Sequence, residues 1–210
     1  MHNKILIFLL LILITKVNAQ GYREIYYPGV QDVEVLELDF WIEDGGKISE
    51  VMRVPEKSTF DNPELVNKLI AMLEKDPMGN YTGEKIKAQF TIKLINPKYK
   101  NRKLTAEECE KLDFLKDGKF VYLDPAYADF VVERSGQNQV EKSGKKIIKG
   151  EIEWLSNCEY NIFNPESENK SNFKKTDIVH VEIIGLLNNY TVVYKSVLNG
   201  ETYTGLMRKL

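Results

Sequence analysis

Polar and apolar residues alternate along most of this chain with the period of an extended strand, and one apolar stripe of helical period interrupts the alternation. From Val33 to Ile42, Leu36, Leu38, Phe40 and Ile42 fall on one face, with Val33, Val35, Glu37, Asp39 and Trp41 on the other. Asp44-Gly45-Gly46 supplies residues that tolerate positive φ, so Lys47 to Val54 is expected to return as the partner strand. Asp61 or Asn62 can cap a helix that opens on Pro63 and Glu64, and Leu65, Val66, Leu69, Ile70, Met72 and Leu73 give it one apolar stripe. Pro77 and Gly79 end it, and Lys85 to Ile95 alternates again up to Asn96-Pro97. A helix lying on one face of an antiparallel sheet buries such a stripe in the simplest way, which predicts a β-β-α-β unit. Tyr22 to Gly29 shows no clear period, and no element is assigned to it.

The second half is patterned more densely. Thr105-Ala106-Glu107-Glu108 is a capping-box sequence, predicting a short helix from Ala106 to about Leu112 that carries Cys109. Alternation then predicts strands at Lys119–Leu123, Phe130–Ser135, Gln137–Lys142, Lys146–Leu155, Cys158–Phe163, Ile178–Ile184, Tyr190–Val197 and Thr202–Lys209. Asp124-Pro125, Ser135-Gly136, Ser143-Gly144, Asn164-Pro165, Asn188-Asn189 and Asn199-Gly200 separate them. Such short gaps make sequence neighbours pair, giving an antiparallel meander that curls or closes into a small barrel to hide its edges. The polar stretch from Asn164 to Thr176 is expected to be a long loop. The fold class is therefore α+β, mostly antiparallel β, with the β-β-α-β unit in residues 20–102 and the β-rich part in residues 103–210.

The first residues change this picture only by removing themselves from it. One Lys, the apolar run Ile5 to Ile14 and the small residues of Val17-Asn18-Ala19 form a signal-peptide pattern, so residues 1–19 are expected to be cleaved and the mature chain to begin at Gln20. The expected destination is the periplasm or the cell exterior. In an oxidising compartment the two cysteines, Cys109 and Cys158, allow one intramolecular bridge, which would add about 3 to 4 kcal/mol through loop closure. The alternative is two buried thiols acting as small apolar residues. With 29 Lys plus Arg against 31 Asp plus Glu, the formal charge of -2 gives no field that favours nucleic acid. No later stretch is long and apolar enough to span a bilayer.

Two resemblances add expectations. Leu38-Asp39-Phe40-Trp41-Ile42-Glu43-Asp44-Gly45-Gly46-Lys47-Ile48-Ser49-Glu50-Val51, with Ser58, Asn62-Pro63-Glu64-Leu65 and Phe90-Thr91-Ile92, resembles the C-terminal domain of TonB-type energy transducers over residues 33–95. That family implies a small β-β-α-β unit and a habit of strand pairing; the transducers' membrane anchor and Pro-rich spacer have no counterpart here, so force transmission is not implied. Gly118-Lys119-Phe120-Val121-Tyr122, Arg134, Gln139-Val140-Glu141 and Ile152-Glu153-Trp154-Leu155-Ser156-Asn157-Cys158-Glu159-Tyr160 resemble small exported proteins of Bacteroidota-type bacteria. This likeness implies an extracytoplasmic β-rich domain and no particular chemistry.

Catalytic constellations are sparse. His180 sits between Val179 and Val181 on the polar side of its strand, and a single histidine in the mature chain cannot build a His-based zinc site. Ser156 lacks a partnering base, and Glu151, Glu153 and Glu159 read as a solvated sheet face before they read as a glycosidase acid pair. Asn80-Tyr81-Thr82, Asn169-Lys170-Ser171 and Asn189-Tyr190-Thr191 match the glycosylation sequon and are idle in a bacterial source. Phe120, Tyr122, Trp154 and Tyr160 either fill the core or line a cavity for an apolar ligand or glycan. The resulting expectation is a non-enzymatic envelope protein without metal or cofactor. Its first expected role is binding a protein partner, by strand addition at an edge near Phe90 to Leu94 with Ile92 in contact; its second is carrying a small ligand in a lipocalin-like barrel; a carboxylate-dependent hydrolase comes last.

Overall fold

The computed structural model describes residues 19–75, 79, 81–167 and 178–210. The expected leader up to residue 18, the Pro77 helix stop, Asn80 and the Asn169-Lys170-Ser171 sequon lie outside the described residues. The described chain is mostly antiparallel β and forms two compact units: residues up to Arg23 with Leu36–Ile92, and Glu24–Val35 with Lys93–Leu210.

A four-stranded sheet has the order β1 (Ala19–Tyr26), β4 (Ile86–Ile95), β2 (Val33–Ile42), β3 (Ile48–Arg53). Its alternation works as expected: Leu36, Leu38, Phe40 and Ile42 are each almost fully buried. The turn between β2 and β3 runs through Gly45 and Gly46, both at positive φ. In helix α1 (Pro63–Leu73), Asn62 is the cap, its side chain accepting from the Leu65 amide at 3.1 Å, and Pro63 sits in the first turn where no donor is wasted. One expectation fails here, and one unassigned segment finds its place, for the same reason. Tyr22 lies in a strand, because β1 adds alongside β4, and β4 is therefore enclosed between β1 and β2. The Phe90–Leu94 stretch is not an edge.

The second unit is a closed eight-stranded barrel. Its strands are β5 (Asp117–Tyr122), β6 (Val131–Ser135), β7 (Asn138–Ser143), β8 (Lys146–Ser156), β9 (Glu159–Ser167), β10 (Ile178–Asn188), β11 (Thr191–Leu198) and β12 (Glu201–Lys209). Each pairs antiparallel with the next, and β12 closes on β5. The meander and the barrel are thus the same object. The closing seam is short: Met207–Lys209 pair with Phe120–Tyr122, flanked by backbone bonds from Leu123 to the Leu206 carbonyl at 2.9 Å and from Leu210 to the Lys119 carbonyl at 2.8 Å. One boundary moves: Asn164-Pro165 does not end its strand, since β9 continues to Ser167 and pairs Glu166 with Lys149.

Helix α2 (Ala106–Glu110) begins with the predicted capping box, Thr105 and Glu108 satisfying each other's backbone amides. The chain then makes a 3-10 turn at Asp113–Leu115, and Leu112 and Leu115 bury themselves in the barrel core with Phe120, Val132, Ile152, Tyr160, Val181 and Met207. This segment stoppers one end of the barrel. Cys109 of α2 is paired with Cys158 at the β8–β9 hairpin, Cα to Cα 5.2 Å, which ties the stopper to the wall. Outside the barrel, Val33, Ile95, Tyr99, Ile184 and Val193 form a second apolar cluster, with Tyr99 lying over Gly185 where a Cβ would meet its ring.

Candidate functional site

Strand alternation decides what the lumen holds. Register places Phe120 opposite Val132, Arg134 opposite Gln139, Val132 opposite Glu141, Trp154 opposite Tyr160 and Tyr194 opposite Gly205, so all of these side chains share the inner face. The lumen therefore contains a cation, an acid and several aromatic rings, and they are arranged in two layers.

The layer near the stopper is solid. Arg134 is buried, and its guanidinium donates from Nε to Gln139 Oε1 at 2.8 Å, from Nη1 to the Leu115 carbonyl at 3.2 Å and from Nη2 to the Tyr160 hydroxyl at 2.5 Å. Its face lies 4.7 Å from the Tyr160 ring centre, 5.3 Å from Phe120 and 5.8 Å from Trp154. These contacts keep a charge inside a barrel at tolerable cost: planar donors meet three acceptors and the ring quadrupoles take up the rest. Trp154 stacks on Tyr160 at 4.7 Å and donates Nε1–H to the Gly136 carbonyl at 3.1 Å. Lys209 donates to the Phe114 carbonyl at 3.2 Å, fixing the stopper from the last strand.

A relay leads from Arg134 toward the other end. Gln139 Nε2 donates to Glu141 Oε1 at 2.7 Å, and the Tyr122 hydroxyl donates to the same oxygen at 2.9 Å. Burial raises the Glu141 carboxyl above its ordinary range, against the opposing pull of the Tyr122 hydrogen bond and the Arg134 charge. Burial pushes the Tyr122 and Tyr194 phenols well up as well, with the Glu141 charge adding to each. The Tyr122 ring is 6.0 Å from Tyr194 and 6.1 Å from Tyr127, the latter edge-on. Tyr194 fits because its partner across the strands is Gly205; a Cβ there would stand 2.7 Å from the Tyr194 hydroxyl.

This second layer is less closed. Protein encloses Tyr122, Glu141 and Tyr194 deeply, yet all three retain surface that a water-sized sphere reaches. Among the described residues, neither Glu141 Oε2 nor the Tyr194 hydroxyl has a protein hydrogen-bond partner. Exposed Tyr127, Tyr203 and Ile178 lie on the elements that reach this end.

The residues singled out in the sequence are distributed unevenly. Phe120 and Tyr160 are packed core; Tyr122 and Trp154 are half-buried lumen residues; Phe90 and Ile92 sit on β4, with Ile92 buried in the sheet core. Arg134, Gln139 and Glu141 stood out only as a likeness, and Tyr194 not at all. In β7 the one apolar residue is Val140, so alternation alone points Val140 inward; the barrel register does the reverse. His180 is outward-facing as expected and bridges Asn161 Oδ1 at 2.9 Å and Glu159 Oε1 at 3.2 Å. Among the described residues, no His, Cys, Asp and Glu grouping could hold a metal ion, and no helix is long and apolar enough to cross a membrane.

No family model, no curated protein and no solved structure matches the chain.

Proposed function

We propose that this is a non-enzymatic binding protein of the cell envelope whose barrel takes a small ligand into the half of its lumen lined by Tyr122, Glu141 and Tyr194. One observation carries the reading: polar atoms deep inside a closed barrel stay accessible and unpaired, whereas buried polar groups are as a rule hydrogen-bonded. A site of that kind, apolar and aromatic with a few convergent polar groups, is the usual form of a small-molecule pocket. The paired cysteines favour an oxidising compartment and so support export behind the leader at residues 1–19.

A protein-interaction role draws less support. The likeness of residues 33–95 to a TonB-type β-β-α-β unit is carried as part of the proposal, and the succession of β2, β3, α1 and β4 along the chain supports it. Yet β4 is flanked on both sides, and the free edge at β3 is blunted by Glu50, a non-glycine residue at positive φ, next to an irregular pairing between Asp39 and Trp41. A hydrolase would need a second carboxylate across the lumen from Glu141, and Asp124, the nearest described acid at that end, is engaged with Lys93 at 2.9 Å.

The test is a fragment screen by NMR on the oxidised protein. Compounds that bind should move the resonances of Tyr122, Tyr194 and Gly205 together while those of outward-facing His180 and Tyr190 stay still. Shifts confined to the outer face, or none from a broad set of small aromatic and aliphatic compounds, would remove the reading.

A further inference from the structure

The atoms left open in the lumen differ in kind from those that are closed. The Arg134 guanidinium is only 5% exposed; each of its nitrogens donates to a neutral acceptor, and Phe120, Trp154 and Tyr160 cover its faces. Its donors are closed to any ligand, while its charge still acts on Glu141. Lys146, at the start of β8, lies over the Phe130 ring at 5.2 Å, and Lys93 is held by Asp124 and by the Thr204 carbonyl at 2.8 Å. Asp124 is further occupied in accepting from the Ala126 amide at 3.0 Å. What stays partly exposed and without a protein partner among the described residues is one carboxylate oxygen of Glu141 and the Tyr194 hydroxyl, beside aromatic surface.

The Glu141 charge acts on three neighbouring phenols, Tyr122, Tyr127 and Tyr194. Tyr127 stands at 67° to Tyr122, and Tyr194 at 54°, so the three rings form inclined walls and not a flat stack. Aromatic faces carry negative electrostatic potential and attract cations, most strongly where water is displaced, and a carboxylate beside them adds to the attraction. A carboxylate ligand would meet the same negative features without a free donor beyond one hydroxyl.

Resting on the ligand reading above, we infer that the lumen accepts a small organic ammonium ion, with its charge against Glu141 and its carbon-bound hydrogens against Tyr122, Tyr127 and Tyr194. The Tyr194 hydroxyl then donates to, or accepts from, a neighbouring polar group of the ligand. Binding favours the ionised form of Glu141, whose titration range burial raises, so at a pH within that range the ligand displaces a proton into solution. The groups that face this acid from the packed elements are Tyr122 of β5, Arg134 of β6, Gln139 of β7, Lys146 of β8 and Tyr194 of β11. None of them is an anion; the two cations, Arg134 and Lys146, act on the same carboxylate and oppose the ligand's charge, while their own contacts are to Gln139, Leu115, Tyr160 and Phe130.

The experiment uses three probes of one shape on the oxidised protein: benzylamine, benzyl alcohol and benzoate. Calorimetry in two buffers of different ionisation heat reads affinity and proton release together, and NMR reads the location. Benzylamine should bind about tenfold or more tightly than benzyl alcohol, release protons, and move Tyr122 and Tyr194, with benzoate weakest. Glu141→Gln should abolish both the preference for the amine and the proton release. Tyr194→Phe, a milder change, should keep the preference while weakening binding severalfold. A tighter alcohol or benzoate, or an amine preference untouched by E141Q, overturns the ammonium assignment and leaves the lumen reading standing. If none of the three moves a lumen resonance, both fall.

Discussion

The two halves of the barrel lumen are built from the same strands and end in different states. Near the stopper, Arg134 has an acceptor for each nitrogen and a ring on each side, and the disulfide pins the stopper over it. Two residues further along β7, Glu141 has one oxygen satisfied twice and the other not at all. Both are buried ionisable groups, and only one has been given enough partners. The difference separates a charge tied into the fold through every donor from one that keeps an oxygen without a protein partner among the described residues.

The largest test of this contrast is at Arg134. Arg134→Ala strands Tyr160, Gln139 and the Leu115 carbonyl inside the barrel and should cost about 3 to 5 kcal/mol by urea denaturation. Breaking the bridge with Cys109→Ser and Cys158→Ser together should cost about 3 to 4 kcal/mol, since the bond closes a loop over a sequence separation of 49 residues; an unchanged midpoint would show that the stopper is held by packing alone. Next comes a matched pair. Tyr122→Phe removes a hydrogen bond to a buried acid and should cost about 1 kcal/mol, while Tyr194→Phe removes a hydroxyl without a protein partner and should stay within about 0.5 kcal/mol. Equal costs would erase the distinction between the closed and the less closed layer.

The smallest expected effect is the pH dependence of Glu141. Its folded-state acid lies above the unfolded one, so the folded form binds more protons between the two values. Its contribution is complete below the unfolded range and is lost as pH rises through the folded one. Glu141→Gln should therefore gain stability relative to the natural chain at neutral pH, with the gain shrinking in acid. A gain that grows in acid would mean that the carboxylate is stabilised in its charged form.

Much of this architecture was legible before any coordinates. All eight barrel strands overlap the segments that alternation marks, because a sheet with one buried face writes its register into the chain at every second position, although β9 runs through Asn164-Pro165 and β7 turns its one apolar residue the other way. Thr105 and Glu108 announced their helix, and Cys109 and Cys158 had no other partner in the mature chain. What failed to show was of two kinds. Tyr22 to Tyr26 joins a sheet through backbone hydrogen bonds that its side chains do not report, and that addition converts β4 from an edge into an interior strand. Gln139 and Glu141 are polar residues turned inward, against the rule by which the strand was read, and their position becomes visible only when Arg134 and Tyr122 arrive from neighbouring strands. The candidate site is a product of closure, so no single segment spells it.

The seam between β12 and β5 joins three residues on each side, where every other seam of the barrel joins at least five. A cylinder opens first along its shortest join, so amide protons at Val121 and Arg208 should exchange with deuterium sooner than those in the middle of β11. Tyr122 stands on that join opposite Met207. A ligand bound as proposed would touch the seam with the fewest paired residues, and occupancy should slow the exchange there more than in the middle of β11.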